Sequence, residues 1–370
     1  MLIFHQRREA KVFKIITSIC LVGFFLISCA TGRSVQKEPE KIIVQSESPE
    51  KYEAKVDALL ERLKALEQSI SVLRSEVANL GYRLNHIQTR PSLTTTKLPK
   101  EVSLCGELFP LEDRNVWENL DREFLLALSN EAQVLLWMKR ARRYFPWIEK
   151  KLKEMGLPDD LKYVTITESS LRPEAVSSSG AAGIWQFIPS TGERYGMRKN
   201  RNIDERFDFF KATEGALAYL KSLYGEFKSW TISMAAYNAG ENRVRKEIDL
   251  QKTRSYFYLD LPMETERYVY KIAVAKIILS DPVRYGYSLE EKEFYHPLQV
   301  ERVHIELTQP LPIMEVAKAT GFFYKEIKEM NPHLFEETIP PGIHFLNLPP
   351  GTSEKFWAFF SAWKKGMEGK

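Results

Sequence analysis

The chain has 370 residues, of which 44% are hydrophobic, so it is long enough for two or more domains with ordinary globular cores. Lys and Arg total 53 against 49 Asp and Glu, and this balance argues against a nucleic-acid-binding protein, which would concentrate basic residues. The 6 His residues are scattered without metal-ligand spacing, so neither a metal nor another cofactor is expected.

The N-terminus carries an export signal. A basic head precedes an uncharged apolar run over residues 15–27, which is shorter than a membrane span of roughly 20 residues. The run ends in Leu26-Ile27-Ser28-Cys29, which resembles a bacterial lipobox. Residues 1–28 are therefore a predicted lipoprotein signal peptide, and Cys29 is the predicted lipidation site. This implies a lipid anchor in the outer membrane, facing the periplasm of a Gram-negative bacterium; an uncleaved short anchor is the alternative.

A heptad pattern follows a polar tether over residues 29–50. Hydrophobic residues recur at alternating steps of three and four from Val56 to Ile87. This spacing predicts a coiled coil over residues 51–90. β-Branched residues at one seam position and Leu at the other favour a parallel homodimer through residues 56–87. A homotrimer stays open, and packing of the helix on the rest of the chain is the alternative.

Residues 91–110 form a predicted linker, and residues 111–290 have a predominantly helical pattern. Pro146 is expected to separate two helices, and a further helix is expected to begin near Pro158 and end before Pro173. The basic, aromatic stretch at residues 137–147 is typical of a solvated helix face; contact with peptide stems or lipid is the alternative.

The C-terminal region changes period. Residues 303–307 alternate as in a half-buried strand, and two short helical patterns and a second strand at 344–348 follow. The prediction is a βααβ module over residues 300–350. Residues 351–370 are rich in aromatic side chains and form a predicted helical tail.

Glu168 is the main catalytic candidate. It falls at the predicted end of a helix, and a Ser- and Gly-rich loop and a Trp-Gln-Phe cluster suited to a sugar follow it. A carboxylate near a helix C-terminus faces the negative end of the macrodipole, which favours its protonated form. A protonated carboxyl in a cleft is what cleavage of a glycosidic bond requires.

Several motifs in a fixed order resemble the lytic transglycosylases of family 1, which carry the SLT domain. They are Glu168-Ser169, Gly183-Ile184-Trp185-Gln186, Ala236-Tyr237-Asn238-Ala239-Gly240, Glu264-Thr265 with Tyr268, and the Asp-Glu-Arg-Phe-Asp segment at 204–208. The resemblance implies a mainly α fold, with a lysozyme-like α+β catalytic domain. It also implies cleavage of the β-1,4 bond between N-acetylmuramic acid and N-acetylglucosamine in peptidoglycan. Glu168 would be the sole acid and base, and the product would be a 1,6-anhydromuramoyl end.

The same resemblance predicts substrate-binding residues. Ser177 and Gln186 match positions that contact the sugar near the scissile bond, and Tyr268 matches a tyrosine of the cleft. Tyr237 is expected to hydrogen-bond Glu168 or the substrate.

Other residues of the motifs have structural alternatives. Asn238 is a further predicted substrate-binding residue that is also expected to fix the loop that contains it. Trp185 is predicted to bind substrate by stacking on a sugar ring, and packing in the core is the alternative. Gly180 and Gly183 are expected to let the backbone approach the glycan. Arg206 and Asp208 are expected to form a structural salt bridge.

Apolar residues, glycines and an Asn-Pro pair recur in a set order within residues 300–350: Ile313, Val316-Ala317, Gly321, Ile327, Asn331-Pro332, Ile339, Gly342 and Leu348-Pro349. This order resembles a LysM peptidoglycan-binding module, with a departure at the first turn, where Leu307-Thr308-Gln309-Pro310 stands. Glycan binding and simple packing on the catalytic domain are both open for it. The implied partners are glycan strands and, through the lipid, a membrane. Two other functions are open: a goose-type-lysozyme-like hydrolase, and a non-catalytic cell-wall-binding lipoprotein.

Overall fold

The computed structural model describes residues 49–88 and 93–368. The predicted signal peptide, Cys29 and all but the last two residues of the predicted tether lie outside these ranges. Helix α1 (Pro49–Gln88) begins two residues before the predicted coiled coil. Its seam residues from Val56 to Leu80 are exposed, and their association with another helix stays a prediction. Within the described ranges, no helix has the length and apolar character needed to cross a bilayer.

A helical body follows, and its central helix is α9. This helix packs against α2, α4 and α7, and side chains on most of its faces are buried because neighbouring helices surround it. The elements of the body are β1 (Ser103–Leu104), β2 (Glu107–Leu108), α2 (Arg114–Ser129), α3 (Glu131–Met155), α4 (Val164–Ser169), α5 (Pro189–Arg194), α6 (Phe209–Phe227), α7 (Trp230–Ala239), α8 (Glu241–Gln251) and α9 (Met263–Ser280).

The helix break predicted at Pro146 is wrong, because α3 runs through this residue. A proline inside a helix costs about 3 kcal/mol, since its N–H is missing and its ring crowds the preceding turn. Phe145, Ile148 and Leu152 are buried around it. Each such side chain contributes about 1.5–3 kcal/mol on burial, so their packing outweighs the cost of the proline.

The predicted linker over residues 91–110 is also partly wrong. Val102, Leu104 and Phe109 are buried in the core of the helical body, and β1 pairs with β2 in a short antiparallel hairpin. The carboxylate of Glu107 accepts hydrogen bonds from the Thr231 backbone N–H (3.0 Å) and hydroxyl (2.7 Å), which caps the start of α7. The segment is therefore part of the body from about residue 102 onward.

The C-terminal module has the predicted strand–helix–helix–strand order. Strands β3 and β6 are antiparallel, with a register from Glu301↔Leu348 to Leu307↔Gly342. The mainly α fold with small β elements is confirmed. The elements are β3 (Glu301–Leu307), β4 (Leu311–Pro312), α10 (Ile313–Thr320), α11 (Tyr324–Met330), β5 (Thr338–Ile339), β6 (Gly342–Leu348) and α12 (Ser353–Glu368), the last of which buries Phe356 and Phe360 in the core of the module.

The C-terminal module docks on residues 198–208 of the helical body. Ile203 packs within the core of the module, and Arg302 of β3 donates two hydrogen bonds to the carboxylate of Asp208, at 2.8 and 2.9 Å. The salt bridge predicted between Arg206 and Asp208 is therefore wrong. Arg206 pairs with Asp204 at 2.6 Å, because the module supplies a different cation for Asp208.

Candidate active site

A cleft of about 560 Å³ opens beside the C-terminal end of α4. Every predicted catalytic or substrate-binding residue except Trp185 lines it, although these residues come from four separate parts of the chain. They are Glu168, Ser177, Gln186, Tyr237, Asn238 and Tyr268.

Glu168 lies in the last turn of α4, where the backbone turns sharply. The next two residues after this helix, Ser170 and Leu171, are left-handed, with φ of 54° and 59°. Two such non-glycine residues cost about 1–2 kcal/mol each, so surrounding contacts must hold them. Leu171 is fully buried, and Ser169 donates a hydrogen bond to the Ile184 carbonyl at 2.8 Å. The turn is thereby fixed with Glu168 at the edge of the cleft.

Glu168 as a whole residue is half-buried, and its carboxyl Oε1 accepts a hydrogen bond from the Tyr268 hydroxyl. Burial raises the pKa of Glu168 to about 8, and the charge of Glu264 acts in the same direction. The Tyr268 hydrogen bond and the Lys271 ammonium oppose this rise. Burial, rather than the dipole of the six-residue helix, is thus the main reason that this carboxyl keeps its proton at neutral pH.

Gln186 and Ser177 face the cleft from a tight loop at residues 175–188. Gln186 has a φ of 52°, and its Nε2 donates to the carbonyls of Ala175 (3.1 Å) and Gly183 (2.8 Å). The amide is oriented by these two bonds, which leaves Oε1 to accept a hydrogen bond from a ligand. Ser177 Oγ accepts from the Ala181 N–H at 3.0 Å, so this hydroxyl is also held in place.

The loop is braced from behind by Arg206. This buried guanidinium donates to the carbonyls of Gly180 and Phe187, both at 2.8 Å. A Cβ at Gly183 would lie 1.9 Å from the Arg206 carbonyl oxygen. Gly183 therefore permits close approach to the 204–208 segment, and not to the glycan as predicted.

Trp185 lies behind the cleft and not in it. Its side chain is fully buried, and its Nε1 donates to Thr213 Oγ1 at 2.8 Å. The substrate-binding prediction for Trp185 is wrong, because the ring is part of the core. Tyr237 donates to the Trp185 carbonyl at 2.8 Å, so Tyr268, and not Tyr237, is the tyrosine bonded to Glu168.

Asn238 connects the end of α7 to the start of α9. Its Oδ1 accepts from the Thr265 hydroxyl at 2.7 Å, and its Nδ2 donates to Glu264 at 3.4 Å. These bonds hold two of the motifs together on one wall of the cleft.

Glu264 and Lys271 also line the cleft, and no role was predicted for them from the sequence. Together with Tyr268 they lie at spacings of four and three residues on α9, so all three face the cleft from one side of a helix that is otherwise largely apolar. This spacing of polar residues within a largely apolar helix could have identified both residues from the sequence.

A second group that was not predicted from the sequence also lines the cleft. Glu241 accepts hydrogen bonds from Arg194 (2.8 Å) and Tyr219 (2.7 Å). Burial acts to raise the pKa of Glu241, but the bonds from Arg194 and Tyr219 outweigh it and lower that pKa to about 2. Glu241 is thus a permanent anion in an ion pair, in contrast to Glu168.

The chain is similar to several known proteins. Residues 145–259 match the family described as Transglycosylase SLT domain. Membrane-bound lytic murein transglycosylase D of Escherichia coli K12 is 38% identical over 197 residues, which cover 52% of this chain and 43% of that protein. Membrane-bound lytic murein transglycosylase C of Haemophilus ducreyi is 29% identical over 131 residues, or 32% and 36% of the two chains. The chain spans less than half the length of these relatives.

Among solved structures, the 70 kDa soluble lytic transglycosylase of Escherichia coli matches with a TM-score of 0.32 at 20% identity. The match covers 47% of this chain and 32% of that one.

Proposed function

We propose, from the transglycosylase SLT domain that this chain carries, that the protein is a lytic murein transglycosylase. Its reaction is cleavage of the β-1,4 bond between N-acetylmuramic acid and N-acetylglucosamine. The observation that supports this best is the carboxyl of Glu168, which burial keeps protonated at the edge of a cleft.

The first step is proton transfer from Glu168. Because the Tyr268 hydroxyl donates a hydrogen bond to Oε1, the acidic proton of Glu168 lies on Oε2, and Oε2 donates it to the glycosidic oxygen. As the bond between C1 and this oxygen breaks, the leaving N-acetylglucosamine departs with a free hydroxyl, and positive charge develops on the muramoyl ring. The negative charge of Glu168 then lies beside that ring.

The second step returns the proton. The Glu168 carboxylate takes the proton of the muramoyl C6 hydroxyl, and O6 attacks C1 to close the 1,6-anhydro ring. Glu168 is then protonated again, and no water is consumed. The nearby Glu264 needs no covalent role, because its charge serves to keep the proton on Glu168 before the first step.

The test is the mass of the products from purified sacculi. A transglycosylase leaves ends that are lighter by one water than those of a hydrolase. Anhydro ends support the proposal. Hydrated ends would show that the protein is a goose-type-lysozyme-like hydrolase instead. Intact sacculi would show that it only binds the cell wall.

We also propose that the protein is an outer-membrane lipoprotein lipidated at Cys29 and facing the periplasm. This proposal comes from the N-terminal sequence, and the two relatives above have membrane-bound in their names. Metabolic labelling with a fatty-acid analogue tests it. The wild type should be labelled and sediment with outer membranes, whereas Cys29→Ala should be unlabelled; label on that variant would contradict the assignment.

A further inference from the structure

A second cavity of about 270 Å³ adjoins the catalytic cleft, between α2, α3, α4 and α9. Thr167 and Lys271 line both cavities. The last turn of α4 therefore forms a shared wall, with Glu168 on one side and this side pocket on the other.

Three residues that line the side pocket each have a buried side-chain polar atom without a hydrogen-bond partner. These atoms are Gln133 Nε2, Trp137 Nε1 and Thr167 Oγ1. Among the residues that the structure describes, only two other side-chain atoms share this state, and both belong to the C-terminal module. A buried polar group without a partner costs about 1–3 kcal/mol, so three such groups beside one cavity favour the binding of a ligand that supplies the missing partners.

The lining specifies the chemistry of that ligand. The indole and amide groups are N–H donors, and they call for an acceptor oxygen. Leu126, Ile166 and Val274 supply an apolar wall. The only carboxylate in the lining, Glu123, is neutralised by Arg267 through bonds of 2.6 and 3.0 Å. An amide carbonyl that carries a methyl group satisfies both the donors and the wall.

We propose that the side pocket is a murein subsite in which Gln133, Trp137 and Thr167 hold an amide carbonyl, with its methyl group against the apolar wall. This inference rests on the proposed function. Murein offers this chemistry in two places: the acetamido group of a sugar ring and the alanyl amide of a stem peptide. Because Thr167 and Lys271 line both cavities, a strand bound in the cleft at Glu168 lies next to the side pocket.

The test uses three variants that remove the unpartnered polar atom: Trp137→Phe, Gln133→Met and Thr167→Val. The last two keep nearly the same side-chain volume, whereas Trp137→Phe also removes part of the ring system. Each should lower kcat/KM on soluble murein strands by about three- to tenfold, the value of one hydrogen bond, through a higher KM. Gln133→Met and Thr167→Val should leave Tm unchanged or raise it, because a buried group without a partner has been removed at nearly constant volume. Trp117→Phe is the matched control, since Trp117 is exposed on α2 outside both cavities.

Two substrates separate the two sources of the amide. Strands stripped of stem peptides by an amidase are compared with intact strands. A loss on both substrates assigns the acetamido group, and a loss only on intact strands assigns the alanyl amide. Wild-type KM in all three variants on both substrates would overturn the inference. So would a fall in the Tm of Gln133→Met and Thr167→Val that accounts for their loss of activity.

Binding to the Glu168→Gln variant gives a readout that does not depend on turnover. Titration calorimetry with each type of strand should show an affinity that falls about three- to tenfold when Trp137→Phe is added. If the wild type fails to cleave but this loss of affinity is seen, the proposed function fails and the subsite stands. If the wild type cleaves but Trp137→Phe causes no loss of affinity, the proposed function stands and the subsite is contradicted.

Discussion

Among single residues, the charge state of Glu168 is set by several opposing interactions. Burial and the charge of Glu264 raise its pKa, whereas Tyr268 and Lys271 lower it. Because three of these contacts come from one face of α9, substitutions on that helix should change the acid without replacing it.

Replacing Glu168 by Gln should lower turnover of sacculi by at least about a hundredfold, since an amide has no proton to transfer. The folded-state pKa of Glu168 is about 8. The native state of the wild type therefore binds a proton that the unfolded chain loses above about pH 4.3, so its stability falls between about pH 4.3 and 8. The variant lacks this loss and should be the more stable protein at pH 8. Near-normal turnover by a folded variant would show that another group is the acid.

The pH profile of kcat/KM should fall as pH rises through about 8, because ionised Glu168 cannot protonate the glycosidic oxygen. Tyr268→Phe removes a bond that favours the carboxylate, so the alkaline limb should move to higher pH. Glu264→Gln removes a nearby negative charge, so the limb should move to lower pH. Shifts in the same direction in both variants would contradict this account.

At the scale of elements, the loop at residues 175–188 owes its shape to the segment behind it. Its carbonyls at Gly180 and Phe187 are held by Arg206, and Gly183 lies against the Arg206 backbone. The 204–208 motif is thus a support for the loop that carries Ser177 and Gln186, which explains a motif with no member in the cleft.

Gly183→Ala and Gly180→Ala should differ strongly in stability. Both glycines have positive φ, 82° and 79°, so each substitution strains the backbone by about 1–2 kcal/mol. Only at Gly183 does the new Cβ meet a backbone atom at 1.9 Å; at Gly180 nothing lies within 4 Å. Urea unfolding should show a loss of more than about 3 kcal/mol for Gly183→Ala and about 1 kcal/mol for Gly180→Ala. Equal losses would mean that the backbone strain alone determines the loss of stability and that the contact with the Arg206 backbone adds nothing.

At the scale of the whole molecule, the C-terminal module completes the helical body. Asp208 caps α6 by accepting from the Phe210 N–H at 3.0 Å, and its charge is buried against Arg302 of the module. The module therefore stabilises the 204–208 segment, which supports the loop at residues 175–188. This role does not depend on glycan binding by the module.

Arg302→Ala should lower the free energy of unfolding by about 3 kcal/mol, since the buried carboxylate of Asp208 loses its partner. Arg201→Ala is the control, because Arg201 pairs with Glu336 of the same module at 3.7 Å and has a side chain that is 92% exposed. That variant should lose less than about 1 kcal/mol. Calorimetry measures the stability of both variants. Equal losses would show that the buried Arg302–Asp208 pair stabilises the protein no more than the exposed pair does.

The exposed seam of α1 leads to a prediction about assembly. Leu66 and Leu73 are 59% and 57% exposed, and a coiled coil would bury them. Light scattering should give a dimer or trimer for the wild type and a monomer for Leu66→Glu with Leu73→Glu. A monomeric wild type would contradict the predicted coiled coil.

The elements with a local signal could be predicted from the sequence: the heptads of α1, the alternation in β3, the helix end at Glu168 and the motif residues of the cleft. Each is encoded by near neighbours, or by a short motif that resembles a family. The tertiary structure decided the rest, because packing joins residues far apart in the chain. Tyr268 reaches Glu168 across 100 positions and Arg302 reaches Asp208 across 94, and no local pattern specifies either pair. Burial of side chains likewise keeps α3 helical through Pro146, holds Trp185 in the core and raises the pKa of Glu168.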